Sequence, residues 1–378
     1  MVSIQMIKSF RPVNQLLSGS NVSYLKTKRH LHSKSLQILS GIQPTGNIHL
    51  GNYFGAINQW VKYQDGLRSN QEFLTQLNDN GSMYDQFLPP IYQIVDMHSI
   101  TTSHDSNRLR DNIFDITAVL LGCGIDPEKC ILFKQSSVPL NGYLCWILAT
   151  ISTMPQLSRF PQFKEKSAGY KDVPLGLYLY PVLQVADILL YKGTHVPIGD
   201  DQLPHINLAK HMTSKFNNTF KCKIFPIPNE ILPKSGAGRV KSLRAPEKKM
   251  SKSEADTKSR IELTDTSDEI IRKIRKSVTD MTSAVTYNPA DRPGVSNLIQ
   301  IYSSVTNLSI EEVVVKFNGK ETFQFKQELG DILAEYIRPI RERINQLSND
   351  RHYLEMVLMD GATKAQTIAE DTSHKYNK

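Results

Sequence analysis

His49-Leu50-Gly51-Asn52 and Lys249-Met250-Ser251-Lys252-Ser253 stand 200 residues apart, and both carry groups suited to a polyphosphate. The first follows Pro44-Thr45-Gly46. Gly46 and Gly51 remove side chains there, so a nucleotide can lie against the backbone. His49 and Asn52 can donate hydrogen bonds to phosphate or ribose oxygens, and a helix opening at this point turns N–H groups and a positive dipole end toward anions. The second motif presents Lys249 and Lys252 on a pliable, Ser-flanked loop. Two ammonium groups that close over departing pyrophosphate stabilise the breaking bond more than the bound substrate. Lys248 and Lys258 nearby read as solvated charges. Taken singly, the motifs are also compatible with a helix start and an ordinary surface loop.

A third group is acidic. Asp187 lies in the apolar run Val185-Ala186-Asp187-Ile188-Leu189-Leu190, where a buried carboxylate is costly and requires partners. Tyr180, Gln184 and Asp187 fall at i, i+4 and i+7, so they share one helix face, with Pro181 expected in the first turn. The plainer alternatives are an Asp187 paired with an arginine or backbone amide, a core Tyr180, a core His98 after a strand, and a Lys166 that is merely a surface charge in Lys164-Glu165-Lys166.

These residues need elements to hold them. A short strand, Leu36-Gln37-Ile38-Leu39, runs into a Gly/Pro turn and then a helix through about Lys62. This is a β-turn-α unit of the Rossmann kind, without Gly-x-Gly-x-x-Gly or a Walker lysine. Residues 67–90 are polar and read largely as an inserted surface loop. Ile91–Val95 is the next strand, leading into Asp96-Met97-His98. A helix with Leu109, Ile113, Ile116 and Leu120 on one face follows, and then a strand at Ile131-Leu132-Phe133. Such alternation predicts an α/β fold with a parallel sheet and ligands at the carboxyl ends of its strands. Beyond about Glu262 the pattern is helical: Ser267–Lys276, Ser296–Val305, Ile310–Phe317, Phe325–Leu347 and a last helix after Arg351.

The formal charge of +8 invites a nucleic-acid reading, but six of those charges lie in Lys8, Arg11, Lys26, Lys28, Arg29 and Lys34. No acid precedes Asp65, and the rest of the chain carries about +2. The arm reads as a mitochondrial transit peptide over 1–34, cleaved near Leu31 to Ser35. From Ile261 onward 15 Lys and Arg face 18 Asp and Glu, so composition does not itself argue for RNA on the helical part. No apolar run is long enough to span a membrane. Cys123, Cys130, Cys145 and Cys222 show no Cys-x-x-Cys pair and read as free thiols.

From about Gln37 to Ala362 the chain resembles the bacterial and organellar tryptophanyl-tRNA synthetases, which belong to class I. The matching stretches are Ser40–Asn52, Phe163–Gly169, Tyr180-Pro181 with Ala186–Tyr191, Val196–Gln202, Lys249–Ser253, Ser277–Asp280 with Ala284-Val285, and Pro293-Gly294-Val295-Ser296-Asn297-Leu298. The resemblance implies a Rossmann-type catalytic domain over 35–262, with the insertion at about 67–90, and a helical anticodon-binding domain over 263–378. Gln43, Thr45, Gly46, His49, Gly51, Asn52, Gly199, Asp201, Lys249, Met250, Ser251 and Lys252 would form the ATP site. Lys166, Lys249, Lys252 and His49 would act on the phosphates. Asp187 would accept the indole N–H, which is a donor only. Tyr180 and Gln202 would hold the substrate ammonium and carboxylate, Gln43 would lie between amino acid and ATP, and His98 and Gln184 would line the pocket.

The resemblance further implies ATP with Mg2+ as substrate, no protein-ligated metal, L-tryptophan and tRNA(Trp) as partners, a homodimer, and the mitochondrial matrix. Some positions depart from the common pattern. Leu39 stands where many bacterial members have phenylalanine, Gln184 where many have methionine, and Asp200 where glutamate is commoner. Two alternatives stay open. A tyrosyl-tRNA synthetase shares both ATP motifs but needs groups placed for a phenol. A catalytically inactive, synthetase-like RNA-binding protein would have no use for an intact His49, Lys249, Lys252 and Asp187.

Overall fold

The computed structural model describes residues 35–69, 84, 86–101, 105–160, 163, 167, 170–232, 240–252 and 254–376. The N-terminal arm, Lys166, Ser253, and residues 70–83 and 85 of the expected insertion lie outside the described residues.

Among the described residues seven short strands form: β1 (Ser35–Leu36), β2 (Leu39–Ile42), β3 (Gln86–Phe87), β4 (Ile91–Ile94), β5 (Ile131–Lys134), β6 (His195–Pro197) and β7 (Asn229–Ile231). Every pairing between them is parallel. The central piece has the order β2-β4-β5, β1 pairs with β3, and a parallel bridge from Ile38 to His195 links the first unit to β6. All four residues of β4 are buried, as a strand covered on both faces requires.

The helices of this half are α1 (Leu50–Asn52), α2 (Asn58–Ser69), α3 (Asp96–Ser99), α4 (Ser106–Gly122), α5 (Leu140–Ile151), α6 (Met154–Leu157), α7 (Leu175–Leu190) and α8 (Leu203–Thr219). A π-helical turn, Tyr53–Ile57, joins α1 to α2. The helical remainder is α9 (Ser267–Arg275), α10 (Pro293–Thr306), α11 (Ile310–Lys316), α12 (Thr322–Ser348) and α13 (Arg351–Tyr376). Capping boxes at Thr266/Glu269 and Ser309/Glu312 fix the starts of α9 and α11 by satisfying N–H groups that the first turn leaves open.

Three local expectations change. The two described ends of the 67–90 stretch are not loop: α2 continues to Ser69 and β3 pairs with β1. Pro181 is interior to α7 rather than in its first turn, because the helix already starts at Leu175 behind Pro174. Tyr180, Gln184 and Asp187 nevertheless stay on one helix. The first strand divides at Gln37-Ile38 and runs on to Ile42.

The helical remainder is docked on the sheet half. Alpha-helix α12, roughly 40 Å long at about 1.5 Å per residue, packs on α4 and α9. Its Tyr336 hydroxyl meets that of Tyr53 at 3.0 Å, and its Arg341 donates to the Asp265 carbonyl at 2.8 Å. The last helix, α13, returns to cover β5. At Gly361 an added Cβ would lie 1.8 Å from the Leu132 carbonyl oxygen, so the two backbones touch. Among the described residues no helix is long and apolar enough to cross a membrane, and all four cysteines are free.

Candidate active site

Parallel strands end along one edge, and the polar residues that follow β2, β4 and β5 converge there. Gln43 follows β2, Asp96 and His98 follow β4, and Gln135 follows β5. Two adjoining arrangements result: an open cleft beside Gln43 and a buried polar cluster around Asp187.

The cleft has a volume of about 1210 Å³ and is lined by Gln43, Thr45, Gly46, His49 and Asn52 from the first motif, and by Lys249, Met250, Ser251 and Lys252 from the second. Gly46 takes φ +59°, a left-handed conformation that favours glycine, and so turns the chain toward α1. At Gly51 a side chain would press on the His49 ring, 3.1 Å away. His49 is the N-cap of α1. Its Nδ1 accepts from the Asn52 backbone N–H at 3.3 Å, and the Asn52 side chain accepts from the His49 N–H at 3.4 Å. An accepting Nδ1 leaves the proton on Nε2, the nitrogen then able to donate to a phosphate. Burial first, then the charges of Lys252, Arg260 and Lys249, hold the His49 pKa down to about 4, so the ring is neutral at physiological pH.

The lysine loop is bound onto this turn. Lys252 Nζ donates to the carbonyls of Thr45 and, at 3.2 Å, of Gly46. Beneath it Glu262 bridges to His49 and accepts from Asn47 at 2.5 Å and Arg260 at 2.9 Å. Arg108, Asp111, Asn112 and Asp115 of α4 also line the cleft. Burial, with a contribution from Arg260, lowers the Lys252 pKa to about 8 against the pull of Glu262. A cationic loop resting on exposed carbonyls, which water can satisfy once a phosphate takes the lysine, is suited to closing over a triphosphate.

In the buried cluster Asp187 is 4% exposed. Its carboxylate accepts from Gln135 Nε2 at 2.7 and 2.8 Å and meets His98 Nε2 at 2.8 Å. Gln135 is itself oriented, because its Oε1 accepts the Met97 N–H at 3.1 Å and its amide must therefore turn Nε2 to the acid. Ser136 ties the same turn to Asp96, through its N–H at 2.9 Å and its hydroxyl at 2.5 Å. Burial raises the Asp187 pKa, and the bonds from His98 and Gln135 oppose that rise. A carboxylate has about four acceptor positions, and these contacts occupy three, so one more donor can be read. Tyr180 donates or accepts at His205 Nε2, 3.1 Å away, and its ring stands edge-on to His98 at 6.5 Å. Burial raises its phenol to about 12, so it stays protonated.

The remaining expected residues lie apart from the cleft lining. Gly199 and Asp201 stand in the turn after β6, where a side chain on Gly199 would meet Asp201 Oδ1 at 2.8 Å, and Gln202 donates to Asp201 Oδ2 at 2.8 Å. Gln184 is half-buried on α7. Leu39 is buried against α7 and β6 residues. Gln135, Arg260 and Glu262 were not expected from the sequence. The one signal for Gln135 was its place immediately after a strand of a parallel sheet.

Comparison with known proteins bears on this geometry. The family of class I tRNA synthetases (W and Y) matches residues 31–337. The mitochondrial tryptophan–tRNA ligase of Caenorhabditis elegans is 39% identical over 95% of this chain and 93% of its own length. The tryptophan–tRNA ligase of Bacillus anthracis is 41% identical over 88% of this chain and 94% of its own. A crystal structure of tryptophanyl-tRNA synthetase from Campylobacter jejuni, complexed with ADP and tryptophan, superposes with a TM-score of 0.72 at 30% identity, covering 90% of this chain and 98% of that one.

Proposed function

The chain belongs to the class I tRNA synthetases of the tryptophan and tyrosine group, and from that premise we propose that it is a tryptophan–tRNA ligase of mitochondria. It joins L-tryptophan to AMP at the expense of ATP, then passes the acyl group to the 3′ end of tRNA(Trp). The observation that carries the choice of amino acid is the Asp187 carboxylate, buried, oriented by Gln135 and His98, and left with capacity for one further donor. The indole N–H is such a donor. Phenylalanine would leave that remaining acceptor position unfilled, a penalty that favours tryptophan over it.

In the first step a tryptophan carboxylate oxygen attacks the α-phosphorus in line. The new O–P bond forms as the bond to the bridging oxygen breaks, and pyrophosphate departs. No protein nucleophile is needed, because positioning and charge stabilisation do the work. Lys249 and Lys252 would neutralise the leaving pyrophosphate, with Lys166 beside them by family resemblance, and His49 Nε2–H would donate to a phosphate oxygen. Mg2+ would enter with ATP as part of the substrate. Gln43, Thr45, Gly46, Gly51, Asn52, Met250 and Ser251 would shape the nucleotide site, with Gly199 and Asp201 reaching it from the β6 turn. Tyr180 and Gln202 would hold the amino acid's ammonium and carboxylate, and Gln184 and His98 would wall the ring.

Residues 35–262 would act as the catalytic domain and 263–378 as the anticodon-binding one, exposed single-stranded bases being the readable part of the tRNA. The acid-free basic arm over 1–34 and the mitochondrial relatives support a matrix location. A homodimer would cover Trp146, Met154 and Leu175, large apolar side chains that are 70%, 72% and 69% exposed. Pyrophosphate exchange with tryptophan and tyrosine side by side tests the central reading. Exchange with tryptophan alone is expected, and exchange with tyrosine alone would overturn it.

A further inference from the structure

The stretch Pro293-Gly294-Val295-Ser296-Asn297-Leu298 opens α10, outside both the cleft and the Asp187 cluster. Asn297 is 2% exposed, and among the described residues its side-chain hydrogen bonds go to backbone. It bonds both backbone groups of a single residue: the Lys241 N–H donates to its Oδ1 at 2.9 Å, and its Nδ2 donates to the Lys241 carbonyl at 3.1 Å. An amide is the only uncharged side chain with a donor and an acceptor side by side, so it pairs with a peptide group as a neighbouring strand would.

Lys241 is the foot of the lysine loop. It bridges antiparallel to Lys249, the Ser242 N–H donates to the Lys248 carbonyl at 3.0 Å, and the Met250 N–H donates to the Val240 carbonyl at 3.2 Å. Among the described residues these are the hairpin's cross-strand bonds, so its placement depends on what grips its outer strand. Gly294, one turn before Asn297, presses α10 onto the adjoining segment: a side chain there would lie 2.3 Å from the Val278 carbonyl, and the Val278 N–H donates to Leu243 at 2.8 Å.

We infer that Asn297 is a positioning residue for adenylate formation, acting from the helical part of the chain by clamping Lys241 and so fixing where Lys249 and Lys252 meet the nucleotide. The inference rests on the ligase reading above but adds a group that touches no substrate. It also gives the helical part a direct mechanical route to the ATP half of the site, because any shift of α10 moves the hairpin with it.

The test uses the full chain carrying Asn297→Ala. Hydrogen exchange over residues 240–252 should accelerate, chiefly at the Lys241 amide, which loses its acceptor, and then at the Ser242 and Met250 amides of the hairpin. The rate of adenylate formation should fall about tenfold while equilibrium tryptophan binding changes less than about twofold, and in a Lys252→Ala background the same substitution should lose most of its effect, since residues acting as one unit are non-additive. Unchanged exchange, equal losses in tryptophan and ATP terms, or full additivity with Lys252→Ala would each overturn the inference. Should Asn297→Ala unfold, Asn297→Gln keeps both bonding groups one methylene further out and should show the same split at smaller size. Failure of the wild-type chain to exchange pyrophosphate with tryptophan would sink the ligase reading instead, and the hydrogen-exchange result would still judge the clamp.

Discussion

Asp187 and Lys252 are both charged groups partly withdrawn from water, yet they are held in opposite ways. Asp187 receives hydrogen bonds from side chains fixed at the ends of two sheet strands, with Gln135 locked by the Met97 amide. Lys252 hangs from a hairpin and rests on two backbone carbonyls of the facing turn. The first arrangement is finished before a ligand arrives. The second is a contact that a phosphate can take over. Specificity needs a partner that cannot move away to satisfy itself elsewhere, whereas a charge that acts on the leaving group can rest on contacts that the phosphate replaces.

Removing the fixed group should produce the largest effect. Asp187→Ala deletes the proposed indole acceptor and strands Gln135 and His98 without their partner, so kcat/KM for tryptophan should fall by roughly 10³-fold or more. Asp187→Asn keeps the shape but offers an N–H where two donors already point, and it should recover little of that loss. The decisive measurement is the ratio of tryptophan to phenylalanine in pyrophosphate exchange. It should collapse in both variants, and a ratio that stays at the wild-type value would remove Asp187 from amino-acid recognition.

Removing the loop charge should cost less and in a different term. Lys252→Ala should lower the rate constant for adenylate formation by roughly 10²-fold, the size associated with losing one preorganised donor to a developing charge. Tryptophan binding measured without ATP should hold its wild-type affinity. A variant that loses tryptophan affinity instead would show that the two regions are one cooperative unit rather than two devices.

The same contrast explains what could be read in the chain beforehand. The lysines, His49 and Asp187 were visible because each is a costly or reactive residue type in a short motif. The helix starts at Ser267 and Ile310 match the expected ones, and the caps that fix them, Thr266 and Ser309, are local. The roles of Gln135 and Asn297 were not visible, since each is an amide whose partner lies 52 or 56 residues away. Nothing in Phe133-Lys134-Gln135-Ser136 separates an orienting glutamine from a polar turn. Pro181 misled for a related reason: proline marks a first turn by its missing N–H, but a helix packed on both sides can carry it further in. What holds the reactive residues in place is decided by tertiary pairing, which has no period.

The smallest expected effect concerns pH and belongs only to the loop. Burial holds Lys252 down to about 8, so the free protein loses this charge as pH rises through that value. Between pH 7.5 and 8.5, kcat/KM for ATP should therefore drop about threefold, because that term reports groups of the free enzyme. Bound polyphosphate favours the ammonium, so the fall in kcat should appear at higher pH than the fall in kcat/KM. Lys252→Arg, which stays charged throughout, should flatten the alkaline limb. Stability runs the other way. A lysine depressed from 10.5 is a cost to folding while it is charged, and that cost fades as pH rises from about 8 towards 10.5. Loss of activity with no loss of thermal stability across that window would therefore point to the loop charge, whereas parallel losses would point to unfolding and take Lys252 out of the account.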